Sequence, residues 1–170
     1  MSTPAERCRA VIEGLEAVAP DHFVYLPSST LVPIIDHFVG KADVVAFPTT
    51  REDEAVGIGA GLVLGGAHPV LVIQDNGIGN SLTALTTFPQ AYHVPLLLIV
   101  SMRGGLNEYN SMIHTFCEHV EAITAAAQLR YFTLDGTVPL EQWRWSVQKA
   151  DEFARVTHRP VIVFVNLMGG

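Results

Sequence analysis

Charge is scarce in this sequence. Only 16% of its 170 residues are charged, against 49% hydrophobic, and the 10 Lys and Arg face 17 Asp and Glu, for a net charge of -7. With no basic surplus, nucleic acid and anionic membranes are excluded as expected partners, since both are bound through clustered Lys and Arg. Cysteine is nearly absent. Cys8 and Cys117 are too few and too far apart for a disulfide framework or a metal motif, and read as buried thiols of a cytoplasmic protein. No apolar run reaches the roughly 18 residues that cross a bilayer, because His68, Gln74 and Asp75 interrupt the longest one. The opening MSTPAERCRAVIEGL is charged and helical in pattern, unlike a signal peptide. Repeats, low-complexity runs and linker-like stretches are also missing, so residues 1–170 are expected to form one domain. The low charge suits a chain that hides part of its surface in a large subunit interface.

What is present is a regular alternation of strand and helix patterns. Strands are expected at 22–26, 43–47, 70–73, 95–100, 130–134 and 160–165. Helical spacing fills most of the intervals, at 10–18, 31–39, 52–64, 81–92, 113–127 and 139–156. The runs PLLLIV and PVIVFV are continuously apolar, as strands are inside a sheet covered on both sides. The expected class is therefore α/β, with a six-stranded, mostly parallel sheet and helices on both faces. Ligands in such sheets collect at the carboxyl ends of the strands. That directs attention to loops at 27–30, 48–51, 75–80 and 101–110.

Four segments there have unusual composition. The first is Glu52-Asp53-Glu54 followed by Gly57, Gly59 and Gly61. Acids suit the positive end of a helix, but three glycines inside a helix cost up to about 1 kcal/mol each. They imply close approach of another backbone. The second is Gln74-Asp75-Asn76-Gly77-Ile78-Gly79-Asn80, a turn and cap by its residues alone. The third is Met102-Arg103-Gly104 after an apolar strand. There a guanidinium can either grip an anion bidentately or form a surface salt bridge. The fourth is Pro27-Ser28-Ser29, whose hydroxyls suit helix capping or hydrogen bonding to a ligand. His114 and His119 lie on or beside a helix without metal-ligand spacing, and isolated histidines of this kind are commonly packing or surface residues.

Taken together, Glu52 with Ala55, Val56 and Gly61, the 74–80 loop, Met102-Arg103-Gly104 and Tyr25-Leu26-Pro27-Ser28 resemble the pyrimidine-binding domains of thiamine-diphosphate-dependent enzymes. Within that family they are similar to the sulfopyruvate and phosphonopyruvate decarboxylases. The resemblance runs from about residue 8 to 167 and weakens at 111–121, where Ile113, Phe116, Cys117 and Glu121 depart from the pattern.

It implies that Glu52 hydrogen-bonds N1′ of the cofactor's aminopyrimidine and so lets the 4′-nitrogen remove a proton from the thiazolium ring. It also implies that Asn76, Gly77 and Asn80 help bind the cofactor. Ser28, Ser29, Asn76, Arg103 and His114 would face a small anionic 2-oxo acid. The family's second domain holds the diphosphate through Mg²⁺ with a Gly-Asp-Gly motif. This chain has no Gly-Asp-Gly, so the resemblance implies a beta subunit that binds the diphosphate and metal, in a hetero-oligomer. The expected activity is that of a carboxy-lyase, with sulfopyruvate as leading substrate and phosphonopyruvate as the alternative. Two further readings stay open: a non-catalytic pairing module of the same fold, and a free-standing domain that binds a small anion.

Overall fold

The computed structural model describes residues 2–106 and 108–169. Thr3 opens the first helix with a capping box: its hydroxyl accepts from the Glu6 N–H, and the Glu6 carboxylate accepts from the Thr3 N–H. Along the chain follow α1 (Pro4–Val18), β1 (His22–Tyr25), α2 (Val32–Val39), β2 (Val45–Pro48), α3 (Glu52–Leu64), β3 (Pro69–Gln74) and α4 (Asn76–Leu85). After a π turn at Thr86–Gln90 come β4 (Leu96–Ser101), α5 (Ser111–Cys117), α6 (Val120–Ala126), β5 (Arg130–Leu134), α7 (Leu140–Thr157) and β6 (Pro160–Val165).

The strands form one sheet in the order β2-β1-β3-β4-β6-β5, and every pairing is parallel. The expected α/β class with six strands is thus observed. β4 and β6 are buried along their whole length, which is why their sequences lack the alternation of a half-exposed strand. Alternate residues feed two cores. On one side Phe23, Val72, Ile99 and Val163 pack with α1, α2 and α7 around Trp143 and Phe38. On the other, Leu71, Ile73, Leu98 and Phe164 pack with α3, α4 and α6. Phe23 and Phe38 stack with ring centroids 4.7 Å apart. Both cysteines are buried and free. No helix among the described residues is long and apolar enough to cross a membrane.

Two expectations are corrected. Residues 75–80 are not a loop: Asp75 accepts the Asn76 N–H and α4 starts at once. The glycines there are tolerated because the opening turn of α4 packs closely against its neighbours. Nor does the 113–127 stretch make one helix. It breaks between Cys117 and Val120 into α5 and α6.

The three glycines of α3 also divide. A Cβ at Gly59 would lie 2.4 Å from Leu71 Cδ1, so this glycine lets α3 settle on the sheet through side chains rather than backbone. Around Gly57 and Gly61 nothing lies within 4 Å, so no other part of the described chain requires them. Replacing either by Ala is accordingly expected to stabilise the isolated chain by about 0.5–1 kcal/mol through helix propensity. Gly59→Ala is expected to destabilise it by about 1 kcal/mol or more through overpacking. Urea denaturation midpoints of the three variants check this, and a loss of stability in Gly57→Ala would contradict the open face seen here.

Candidate functional site

The side to which the chain adds successive strands switches between β1 and β3, and the crevice at such a switch point is where ligands of open α/β sheets bind. Side chains from both strands meet there. Ser28, just beyond β1, donates its hydroxyl to Gln74 Oε1 at 3.2 Å, at the end of β3. Thr30 Oγ1 bonds Ser101 Oγ at 3.2 Å, at the end of β4.

Beside this crevice the three acids that open α3 take different partners. Asp53 pairs with Arg51 at 2.9 Å. Glu54 caps the chain ahead of the helix, accepting from the Thr50 N–H at 3.1 Å and its hydroxyl at 2.9 Å. Both are absorbed by local structure. Glu52 instead crosses to α4, where its Oε2 accepts from Asn80 Nδ2 at 2.6 Å. Asn80 is oriented in turn by Arg51, whose Nη2 donates to its Oδ1 at 3.0 Å. A Cβ on Gly77 would fall 2.3 Å from Glu52 Cγ and 2.7 Å from its Cδ. Only glycine at 77 allows the carboxyl group to lie against the start of α4. Glu52 Oε1 accepts no hydrogen bond among the described residues, and the side chain is half-buried. One carboxyl oxygen is held by Asn80, while Oε1, which lies against Gly77, keeps a lone pair without a hydrogen-bond partner among the described residues and can accept one from a ring nitrogen of a bound aminopyrimidine.

Arg103 is not the surface ion-pair partner that one reading of the sequence allowed. Its Nε donates to Glu108 Oε2 at 2.5 Å, with the two side chains only 8% and 1% exposed. Its Nη1 donates to Gln74 Oε1 at 3.1 Å, the same oxygen that Ser28 uses. Its backbone N–H donates to Asp75 Oδ2 at 2.7 Å. The Arg103 guanidinium holds the Glu108 carboxyl below the usual carboxylate range. Asp75 is fully buried, and burial pushes its pKa up, although the Cys117 thiol and the N–H groups of Arg103 and Asn76 work against that. Cys117 Sγ donates to Asp75 Oδ1 at 3.0 Å. Burial and the adjacent carboxyl push the thiol's own pKa upward. It acts as a structural donor here, not as a nucleophile.

The remaining expected site residues are distributed unevenly. Asn76 is exposed at the first position of α4. Ser29 is exposed and lines a cavity of about 370 Å³ with Pro4, Cys8 and Leu167, which Thr30 borders as well. No hydrogen bond among the described residues joins Ser29 to Ser28 or Gln74. His114 Nε2 donates to the Glu108 carbonyl at 3.0 Å, and its Nδ1 lies 3.3 Å from Glu118. The Glu108 carbonyl and Glu118 raise its pKa. Gln74, Asp75, Glu108 and Cys117 were not singled out from the sequence as site residues. The usable signals were a polar Gln-Asp pair ending an apolar strand and an acid five residues after Arg103. No group of three or more His, Cys, Asp or Glu among the described residues is arranged to hold a metal ion.

Comparison with known proteins places the fold first. Benzoylformate decarboxylase from Polynucleobacter necessarius matches 98% of this chain with a TM-score of 0.71 at 18% identity, and the match takes up 30% of that larger chain. The chain thus has the fold of one segment of a decarboxylase. In sequence it is similar to sulfopyruvate decarboxylase subunit alpha of Methanococcus maripaludis, 26% identical over 159 residues that make up 94% of this chain and 93% of that subunit. The alpha subunit of Methanocaldococcus jannaschii is 33% identical over 99 residues, 58% of this chain and 59% of its own length. Phosphonopyruvate decarboxylase of Streptomyces viridochromogenes is 27% identical over 104 residues, 61% of this chain and 26% of the other. No protein-family model matches the chain. The likeness to sulfopyruvate decarboxylase alpha subunits that the motifs suggest is therefore present in the aligned sequences as well.

Proposed function

We propose that this chain is the pyrimidine-binding, alpha-type subunit of a thiamine-diphosphate-dependent 2-oxo-acid decarboxylase that converts sulfopyruvate to sulfoacetaldehyde and CO₂. The observation that carries the proposal is Glu52. Alone among the acids of its helix turn it leaves local capping, rests on a position where only glycine fits, and keeps one oxygen without a hydrogen-bond partner among the described residues. The nearly end-to-end similarity to an alpha subunit of that name supports the same reading. When bound, thiamine diphosphate supplies the nucleophilic carbon and the electron sink for decarboxylation.

The chain's own residues do the rest. Glu52 shares a proton with the aminopyrimidine through Oε1, while Asn80 and Gly77 fix its angle. Ser28, Gln74 and Arg103 form a hydrogen-bonded row at the switch-point crevice that orients the anionic substrate. Asn76, at the first turn of α4, offers its amide to cofactor or substrate, and His114 lies beside the loop that carries Glu108. The whole chain acts as one pyrimidine-binding domain. Diphosphate and Mg²⁺ are held by a beta subunit, whose docking covers the open glycine face of α3. The resulting hetero-oligomer works in the cytoplasm.

The test is co-expression with a candidate beta subunit carrying Gly-Asp-Gly. The purified complex is expected to bind thiamine diphosphate and release CO₂ from sulfopyruvate, while the isolated chain releases none. A chain that stays monomeric beside that partner, or a complex that binds the cofactor but leaves sulfopyruvate intact, contradicts the proposal.

A further inference from the structure

We propose that Glu108 is a positioning residue that sets which anionic head group the site prefers: by offsetting the charge of Arg103, it favours a singly charged sulfonate over a doubly charged phosphonate. The inference rests on the decarboxylase reading above and deepens it. A guanidinium meant to neutralise a dianion is most effective when it has no other carboxylate to satisfy. Arg103 is the opposite case. Its Nε is held by Glu108, and both side chains are almost wholly shielded from water. Charges excluded from solvent act on each other more strongly than exposed ones, so the carboxylate cancels much of the field that an incoming anion would feel. A second carboxyl, Asp75, lies against the Arg103 backbone.

What survives the pairing is direction. Nη1 still points to Gln74 and the crevice. Glu108 Oε1 accepts the Asn110 N–H at 2.9 Å, and its carbonyl accepts from His114, so the loop that carries the countercharge is itself anchored. Arg103 and Glu108 also border a cavity of about 110 Å³ together with Met102 and Asn166, which Ser28 and Gln74 do not line. A sulfonate brings three acceptor oxygens and one charge, which oriented N–H donors can satisfy. A phosphonate brings the same three oxygens and up to two charges, and the second meets a site whose cation is already matched.

The experiment compares kcat/KM for sulfopyruvate and phosphonopyruvate in the complex with its partner subunit. In Glu108→Gln the countercharge is gone and the shape is kept. The ratio of phosphonopyruvate to sulfopyruvate turnover is expected to rise about tenfold, the equivalent of ~1.4 kcal/mol of discrimination. Glu108→Asp restores the charge and is expected to return the ratio towards wild type, which a merely structural role for Glu108 would not require. If Glu108→Gln abolishes turnover, the relative affinities of sulfoacetate and phosphonoacetate for the same complex must shift in the same direction. An unmoved ratio in Glu108→Gln, or equal shifts in the Gln and Asp variants, overturns the inference. A wild-type complex that decarboxylates neither acid refutes the decarboxylase reading instead, so the two failures are distinct.

Discussion

Glu52→Gln is expected to lower decarboxylation by the assembled complex about 10³-fold, within the range that positioned proton transfer contributes to enzymic rates. The substitution preserves size and the contact with Asn80, because the side-chain oxygen of Gln still accepts from Nδ2. What disappears is the ability to share a proton with a ring nitrogen. The loss should therefore fall on kcat, with KM for the 2-oxo acid and affinity for thiamine diphosphate changed little. That split separates a chemical role from a structural one. An acid that merely favoured the helix dipole would be worth about 0.3–1 kcal/mol of stability and nothing in turnover. Asp53→Asn supplies the comparison within the same helical turn: it loses the pairing with Arg51 and is expected to keep nearly full activity.

Gly77→Ala is expected to cost about 10²-fold in kcat, the order of effect that follows when a reacting group is displaced by about 1 Å. A single methyl group suffices because it would occupy a point 2.3 Å from Glu52 Cγ. Either the Glu52 side chain swings away from α4 or the two helices part, and both outcomes break the bond to Asn80. Overpacking of this kind also costs stability, typically about 1–3 kcal/mol. Gly59→Ala is the control, because its methyl group would press on Leu71 rather than on Glu52. It carries a comparable packing penalty and leaves the carboxyl group in place. Activity that falls equally in the two variants, when measured on folded complex, would assign the effect to loosening of α3 in general.

The architecture could be read from the sequence wherever burial dictates composition. PLLLIV and PVIVFV announced strands covered on both faces, and β4 from Leu96 onward and all of β6 are fully buried. The parallel sheet followed from helix patterns standing between strands. The reading failed where three-dimensional packing overrides local preference. Asn76-Gly77-Ile78-Gly79 has the composition of a turn, yet it is the first turn of α4. Its glycines make room for Glu52 in one direction and the Phe116 ring in another, 2.9 Å from where a Gly79 Cβ would sit.

Site residues divide in a similar way. Only the resemblance to the thiamine-diphosphate family set Glu52 apart from Asp53 and Glu54, and the structure pairs it with Asn80, another residue of the same motif. Glu108 did not, because its partner is five positions away across an irregular loop. No periodicity links residues at that spacing outside a helix, and only the fold shows that the pair is shielded from water. Ser28 and Ser29 are adjacent in sequence and equal in chemistry. The turn after β1 sends one to Gln74 and the other to the cavity beside α1.

The most direct measurement is exchange of the C2 hydrogen of thiamine diphosphate for deuterium in the complex of this chain with its partner subunit, followed by acid quench and NMR. With the carboxyl group at position 52 intact, exchange is predicted to run far faster than in the free cofactor. In Glu52→Gln it is predicted to fall close to the free rate while the cofactor stays bound. Exchange in the variant at the wild-type rate would contradict the account.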